Sequence, residues 1–279
     1  MKYIVGFSGG IDSQAALLWS LENYDPTDVI AVNTQAGRNE HPFTVAHVAE
    51  ISRTVCHIEV VIPKISDIWY GSGRNEVASL LSRANEELTF EELAKWKQRF
   101  PSRRAQFCTE FLKLRPIRRW IGENVTDEYE RVSGIRNDES AVRASRQPRE
   151  WDDFFDCWLV NPVVTWTKQE CFDYVKRSGQ PINPLYTLGF NRVGCAPCIN
   201  SGKDDITNWA LRFPEMIDKV RDWERSVGKT FFAPCVPGMV LNFVDDVVAW
   251  AKTSRGGRQS VFPILQEPQS CESKYGLCE

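Results

Sequence analysis

Residues 2–13 read Lys2-Tyr3-Ile4-Val5-Gly6-Phe7-Ser8-Gly9-Gly10-Ile11-Asp12-Ser13. This stretch decides the fold. Lys2–Phe7 is short, rich in β-formers and closed by glycines, so it reads as a buried strand. Ile11, Ala15, Leu18 and Leu21 then recur at helical spacing and predict a helix over 11–22. Between them lies Ser8–Ser13. Paired glycines let the backbone approach an anion closely and take positive φ. A helix start adds unpaired N–H groups and the positive end of its dipole. Ser8 and Ser13 contribute hydroxyls, and Asp12 is placed to hold the loop or help bind Mg²⁺. Neither G-x-x-x-x-G-K-[ST] nor G-x-G-x-x-G is present, so the loop is of another kind.

Outward from this loop the pattern repeats. Asp28–Thr34 is a second strand, Phe43–Thr54 a helix and His57–Pro63 a third strand. The order β-α-β-α-β predicts a parallel sheet covered by helices. Glu130–Ile135 and Leu159–Val164 bring the expected sheet to five strands, a doubly wound, mostly parallel, Rossmann-like α/β fold. Residues 64–105 read as polar and mostly helical, an insertion or lid over the sheet edge. A helix over Thr109–Trp120 must be kinked or restarted by Pro116. Thr167 and Glu170 form a capping-box pattern that opens a helix ending near Gly179. Beyond it Pro, Asn, Gly and Cys dominate until 202, and helices follow near 203–212, 214–226 and 241–252. These features divide the chain into a nucleotide-binding domain, 1–180, and a cysteine-containing helical C-terminal region with its tail, 181–279.

Composition bounds the function. A hydrophobic content of 42% and a charged content of 25% are those of an ordinary globular protein. A formal charge of −3 excludes a polyanion binder overall, though not a local basic patch. No apolar run approaches the roughly 18 residues of a membrane span, and the first apolar stretch is too short for a signal peptide. The expected location is the cytoplasm, with no membrane partner. Nine cysteines are many and odd in number. In a reducing compartment clustered cysteines bind metal or carry redox chemistry more often than they form bridges.

Ser8–Ser13 resembles the PP-loop of the ATP pyrophosphatases, the adenine nucleotide α-hydrolase group that includes phosphoadenosine phosphosulfate (PAPS) reductases. Two further segments resemble the reductase branch. Cys108-Thr-Glu-Phe-Leu-Lys113-Leu-Arg-Pro116 is similar to its Cys…Lys-x-x-Pro segment. Gly134-Ile-Arg136-Asn-Asp-Glu139-Ser140-Ala-Val-Arg143 is similar to its G-x-R-x-x-E/Q-S-x-x-R segment. The resemblance covers about residues 1–200. It implies that Phe7, Ser8, Gly9, Gly10, Asp12, Ser13, Asn33, Thr34, Gly134, Arg136, Glu139 and Arg143 hold an adenine nucleotide, ATP or PAPS, with Mg²⁺. Lys113, Arg136 and Asp12 are then the catalytic candidates, Lys113 as a mobile point charge and the arginines as forks for oxyanions. The chain departs from the reductases at Asn33-Thr34-Gln35-Ala36-Gly37, where they carry Asp-Thr-Gly.

Gly194-Cys195-Ala196-Pro197-Cys198 aims two thiols at one centre, and Cys271 and Cys278 form a second pair. The resemblance adds Cys108, whose counterpart in iron–sulfur members of the family ligates a cluster. The expected centre uses Cys195, Cys198 and two of Cys108, Cys271 and Cys278, holding a [4Fe–4S] cluster or, as the alternative, structural Zn²⁺. In PAPS reductases a nucleophilic cysteine precedes Gly-Leu in the tail, whereas Cys278 follows it. Cys278 is therefore a candidate nucleophile with a reordered context. Arg99, Arg103, Arg104, Arg115, Arg118 and Arg119 gather around Lys113, either as an anionic-ligand mouth or as solvated helix faces.

The resemblance implies that an acceptor attacks the α-phosphate of ATP, releasing pyrophosphate, and that sulfur is then delivered. This branch includes enzymes resembling the DNA phosphorothioation ATP pyrophosphatases, and some members are phage-encoded. Reduction of PAPS or adenylyl sulfate to sulfite is one alternative. A non-catalytic nucleotide-binding subunit of a sulfur-transfer complex is another. A cysteine desulfurase or thioredoxin-type donor, a nucleic-acid acceptor and a homo-oligomeric partner all stay open.

Overall fold

The computed structural model describes residues 1–69, 82–140 and 142–253. The alternation of side chains along each strand sets two apolar faces. In β1 (Lys2–Gly6), Val5 joins one apolar cluster and Ile4 another. In β2 (Val29–Thr34), Ala31 and Val32 divide in the same way. Helices α1 (Ile11–Asn23) and α2 (Pro42–Thr54) cover the first face through Ala16, Leu17, Val48 and Ile51.

After β3 (Ile58–Val61) the chain forms α3 (Phe90–Lys97), a short turn of helix α4 (Phe107–Thr109) and then α5 (Arg115–Asn124). Leu114, Ile117 and Ile121 cover the second face of the sheet. Pro116 sits in the first turn of α5, where its missing N–H costs nothing. A π-helical turn, Glu110–Leu114, absorbs the join before it. Of the kink or restart expected at Pro116, the structure has a π-helical turn leading directly into α5.

β4 (Tyr129–Val132), β5 (Arg149–Asp152) and β6 (Cys157–Val160) complete a single sheet of order β3-β2-β1-β4-β6-β5. Every neighbouring pair is parallel except β5 with β6. The doubly wound, mostly parallel fold is as expected, with six strands instead of five. The additional strand is Arg-Glu-Trp-Asp at 149–152, a polar edge strand whose Trp151 lies opposite Trp158. Charged edge strands resist further pairing, and the same charge hides them from a search for apolar alternation.

α6 (Lys168–Arg177) begins with the capping box read from the sequence: Thr167 accepts from the Glu170 backbone while Glu170 reaches back. Its Cys171 and Val175 pack on Ile11, Ala15 and Leu18 of α1. α7 (Pro184–Thr187), α8 (Lys203–Arg212), α9 (Pro214–Val227) and α10 (Val244–Ala251) follow. Their largest apolar cluster includes Leu185, Trp209, Val220, Trp223 and Val247, and it takes in Ile65, Leu88, Phe90, Leu93 and Phe100. Phe90 and Trp223 lie 4.8 Å apart between ring centroids. The described part of 64–105 is therefore anchored in apolar core, which corrects its reading as polar and, of insertion or lid, fits an insertion. Asp67 reinforces the anchor through a buried 2.8 Å ion pair with Arg119. Among the described residues no helix is long and apolar enough to cross a membrane.

Candidate functional site

In an open parallel sheet, successive connections diverge where the strand order reverses, and the crevice they leave lies at the carboxyl ends of the strands. Here β1 stands between β2 and β4. The loop after β1 and the segment after β4 meet in that crevice.

Ser8–Ser13 is held by its own hydroxyls. The Ser8 amide donates to Ser13 Oγ at 3.1 Å, Ser13 Oγ donates to the Gly10 carbonyl at 2.9 Å, and the two hydroxyls lie 3.0 Å apart. Gly9 takes φ +82°, a conformation that suits glycine. Gly10 is the N-cap of α1 and offers no side-chain cap.

Gly134 follows β4 and lies directly against this helix start. A Cβ there would stand 2.5 Å from the Asp12 carbonyl and 2.6 Å from the Ser13 nitrogen. Arg136 reaches the same turn: its Nε lies 2.6 Å from Asp12 Oδ2, both side chains being nearly wholly buried, and its Nη1 pairs with Asp138. Arg143 pairs with Glu139, four residues before it, and is fully buried. Both arginines are thus braced by carboxylates. Asp12 is engaged in holding the loop to the β4 segment.

Phe7 is buried, and its carbonyl accepts from Asn33 Nδ2 at 2.8 Å, so Asn33 ties the ends of β1 and β2 together. Thr34 is buried beside it. A cavity of about 360 Å³ opens past Asn33, lined by Gln35, Glu40, Val45, Val48 and Val60 among others. Lys113, on the π-helical turn, is buried and lies close enough to Glu40 for its charge to act on that carboxyl. Burial pushes Glu40 up to about 7, and Lys113 opposes the rise. Of the surrounding basic residues, Arg115 is tied to Glu110 and to the Ile68 carbonyl, Arg119 to Asp67, and Arg118 lies over the Phe154 ring. These contacts hold α5 to Asp67–Ile68, to Glu110 and to the Phe154 ring.

The Cys195–Cys198 turn, with a cis Ala196–Pro197 bond, is stitched to the segment that leaves β2. Glu40 and Cys195 form a backbone bridge, the Ala196 amide donates to the Asn39 carbonyl at 2.9 Å, and Asn39 Nδ2 donates to the Pro197 carbonyl at 3.2 Å. Lys219 joins from α9, donating to the Arg38 carbonyl at 3.0 Å; burial lowers its ammonium to about 8. Among the described residues no three His, Cys, Asp or Glu side chains gather to hold a metal ion, so Cys108 does not complete a set with Cys195 and Cys198. Cys271 and Cys278 lie outside the described residues. The described thiols alone do not fit a four-ligand centre. Cys157 and Cys171 are buried in apolar core.

Four residues join the site without having been read from the sequence. Asn183 Nδ2 donates to the Gly9 carbonyl and to Thr44 Oγ1, both at 3.2 Å. The Ile11 amide donates to Tyr186 Oη at 3.0 Å. His47 Nε2 lies 3.1 Å from Gln14 Oε1, and burial lowers the imidazole to about 4. Glu40 is the fourth. Asn183-Pro184 carried a local signal, an N-cap before a helix-starting proline, but nothing local aimed it at residue 9.

Residues 2–201 match the family model of the phosphoadenosine phosphosulfate reductase domain. The chain is 30% identical to a 37.8 kDa protein from the gpa 5′ region of Escherichia phage 186, over 99% of this chain and 96% of that one. It is 33% identical to adenosine 5′-phosphosulfate reductase of Allochromatium vinosum, over 37% of this chain and 40% of the reductase. The match thus spans under half of that enzyme. Among solved structures, the PAPS reductase of Candida auris in its phosphate complex is similar at 15% identity and a TM-score of 0.48, over 70% of this chain and 81% of that one. The chain belongs to the phosphoadenosine phosphosulfate reductase domain family.

Proposed function

We propose that this chain binds ATP, as its magnesium complex, and transfers the adenylyl group to an acceptor for later sulfur delivery. The observation that carries the reading is the contact of Gly134 with the Asp12–Ser13 backbone, which closes a phosphate loop and an arginine segment onto one crevice. The acceptor's nucleophile attacks the α-phosphorus, the bond to the bridging oxygen breaks, and pyrophosphate leaves with the electron pair. Loop amides at the start of α1 stabilise the developing oxyanion. Lys113 supplies a positive charge on the leaving side. Arg136, already balanced by Asp12 and Asp138, fixes the loop's position. The cavity past Asn33, with Val45, Val48, Ala49 and Val60 in its lining and Gln35 beside them, suits an adenine ring.

Pyrophosphate release from ATP, assayed with and without DNA or tRNA, tests the reading. Release supports it. Sulfite formed from PAPS or adenylyl sulfate instead would assign the activity of the reductase relatives. Nucleotide binding without either product would make the chain a binding subunit.

A further inference from the structure

Residues 181–186 lie across the Ser8–Ser13 loop and the start of α1 and touch them at three points. The Pro181 carbonyl accepts from Gln14 Nε2 at 2.7 Å. Asn183 Nδ2 donates to the Gly9 carbonyl at 3.2 Å. The third contact differs in kind: the Ile11 amide donates to Tyr186 Oη at 3.0 Å. Only this one takes a backbone donor at the start of α1. The Ser8 and Gly10 amides turn to the loop's own hydroxyls, Ser13 Oγ at 3.1 Å and Ser8 Oγ at 3.4 Å. Tyr186 thus brings an acceptor to the loop from another part of the chain. Its ring is half-buried and forms one wall of a cavity of about 680 Å³, with Phe172, Ile182 and Phe190. Its neighbour Leu185 is fixed in the apolar core. The Tyr186 side chain therefore has space to turn while its backbone stays anchored.

We infer that Tyr186 is a stopper on the nucleotide site. Its hydroxyl holds, on the Ile11 amide, the place of a phosphate oxygen, and the side chain swings into the cavity when the nucleotide seats. The inference rests on the adenylyl-transfer reading given above, in which the amides at the start of α1 face the phosphates. A neutral phenol oxygen and an anionic phosphate oxygen then compete for one N–H. The charged acceptor makes the stronger hydrogen bond. The nucleotide displaces the hydroxyl, at the cost of the bond it replaces. In the empty chain the same hydroxyl keeps a partly buried amide paired, where an unmade bond is costly. The edge-to-face contact with Phe172, at 5.0 Å, holds the ring in its resting place. Tyr186 thus stabilises the empty protein and lowers nucleotide affinity at once. A residue that capped the helix in both states would do the first and not the second.

The test compares the full chain with its Tyr186→Phe variant, which keeps the ring and removes only the hydroxyl. α,β-Methylene ATP with Mg²⁺ is titrated into each by calorimetry, and both are melted without nucleotide. The variant should bind the nucleotide about fivefold more tightly, because one neutral hydrogen bond no longer has to be broken. Its Tm without nucleotide should fall by about 2 °C. Two shifts of opposite sign mark a group that serves only the empty state. Binding by the variant alone would support the inference equally. Unchanged or weaker binding by the variant would overturn it and leave Tyr186 as a cap of α1. If neither protein binds α,β-methylene ATP, the adenylyl-transfer reading itself is overturned and the stopper falls with it.

Discussion

Gly134 and Asp12 lie in backbone contact: a Cβ on Gly134 would stand 2.5 Å from both the carbonyl carbon and the carbonyl oxygen of Asp12. Neither atom belongs to a side chain that can swing aside. Gly134→Ala must therefore push the end of β4 away from the first turn of α1. Overpacking of this kind costs about 1–3 kcal/mol, and here the displaced element is the Ser8–Ser13 loop, proposed above to hold the phosphates. The variant should bind α,β-methylene ATP at least about tenfold more weakly, measured by calorimetry. Unchanged affinity would remove this contact from the nucleotide site.

Asp12 and Asp138 share Arg136 but not its surroundings. Asp12 is nearly wholly buried, while the Asp138 side chain is 41% exposed. Removing one member of a buried pair leaves the other charge uncompensated, at a cost of about 3 kcal/mol. An exposed partner contributes about 1 kcal/mol or less. Asp12→Asn should thus lower Tm by about 6 °C or more and Asp138→Asn by about 3 °C or less. Equal shifts in thermal melts would show that Asp12 does not carry the pair.

What could be read in advance follows the range of the interactions. The strand, loop and helix of residues 2–23 are set by neighbours within a few positions, and the glycine pair and apolar spacing show them directly. The six-strand order was only partly visible. β5 is four residues long, carries Arg149, Glu150 and Asp152, and is buried at one of them, so it has no apolar alternation to detect. The Ser8–Ser13 strand-to-helix loop was legible, but its supports were not. Asn183 and Tyr186 reach Gly9 and Ile11 across more than 170 positions, by a route that only the packing of α6 on α1 creates. The described part of 64–105 looks polar because Phe90 and Phe100 are spaced for contacts with Trp223 and Phe231, not for one regular helix face.

His47 predicts an acid limb in stability. Burial beside Gln14 and Phe7 holds its imidazole neutral, with a folded value near 4 against about 6.5 in the unfolded chain. Between these values the unfolded chain binds the proton and the folded chain does not, so stability rises with pH across this window. It is lost as pH falls from about 6.5 towards 4. His47→Gln keeps a hydrogen-bonding side chain and cannot titrate. Urea melts at pH 7 and pH 5 should show a smaller difference for the variant than for the parent. The same pH difference in both would assign the acid limb to other groups.

Lys113 supplies the sharpest test of the chemistry. It is buried on the π-helical turn, and its charge reaches Glu40, which burial holds near 7. A lysine placed to bind the ground state would, when removed, raise KM and leave kcat alone. One placed on the departing pyrophosphate would lower kcat, by about 100-fold for a single lost charge contact in a dry site. Lys113→Met, which keeps the length of the buried stem, should show the second pattern in pyrophosphate release from ATP. Losing the cation also removes what holds the Glu40 carboxyl down, so Glu40 should titrate at a still higher pH in the variant, seen by ¹³C-labelled glutamate resonances. A Glu40 shift with a wild-type kcat would keep Lys113 as a neighbour of Glu40 and exclude it from catalysis.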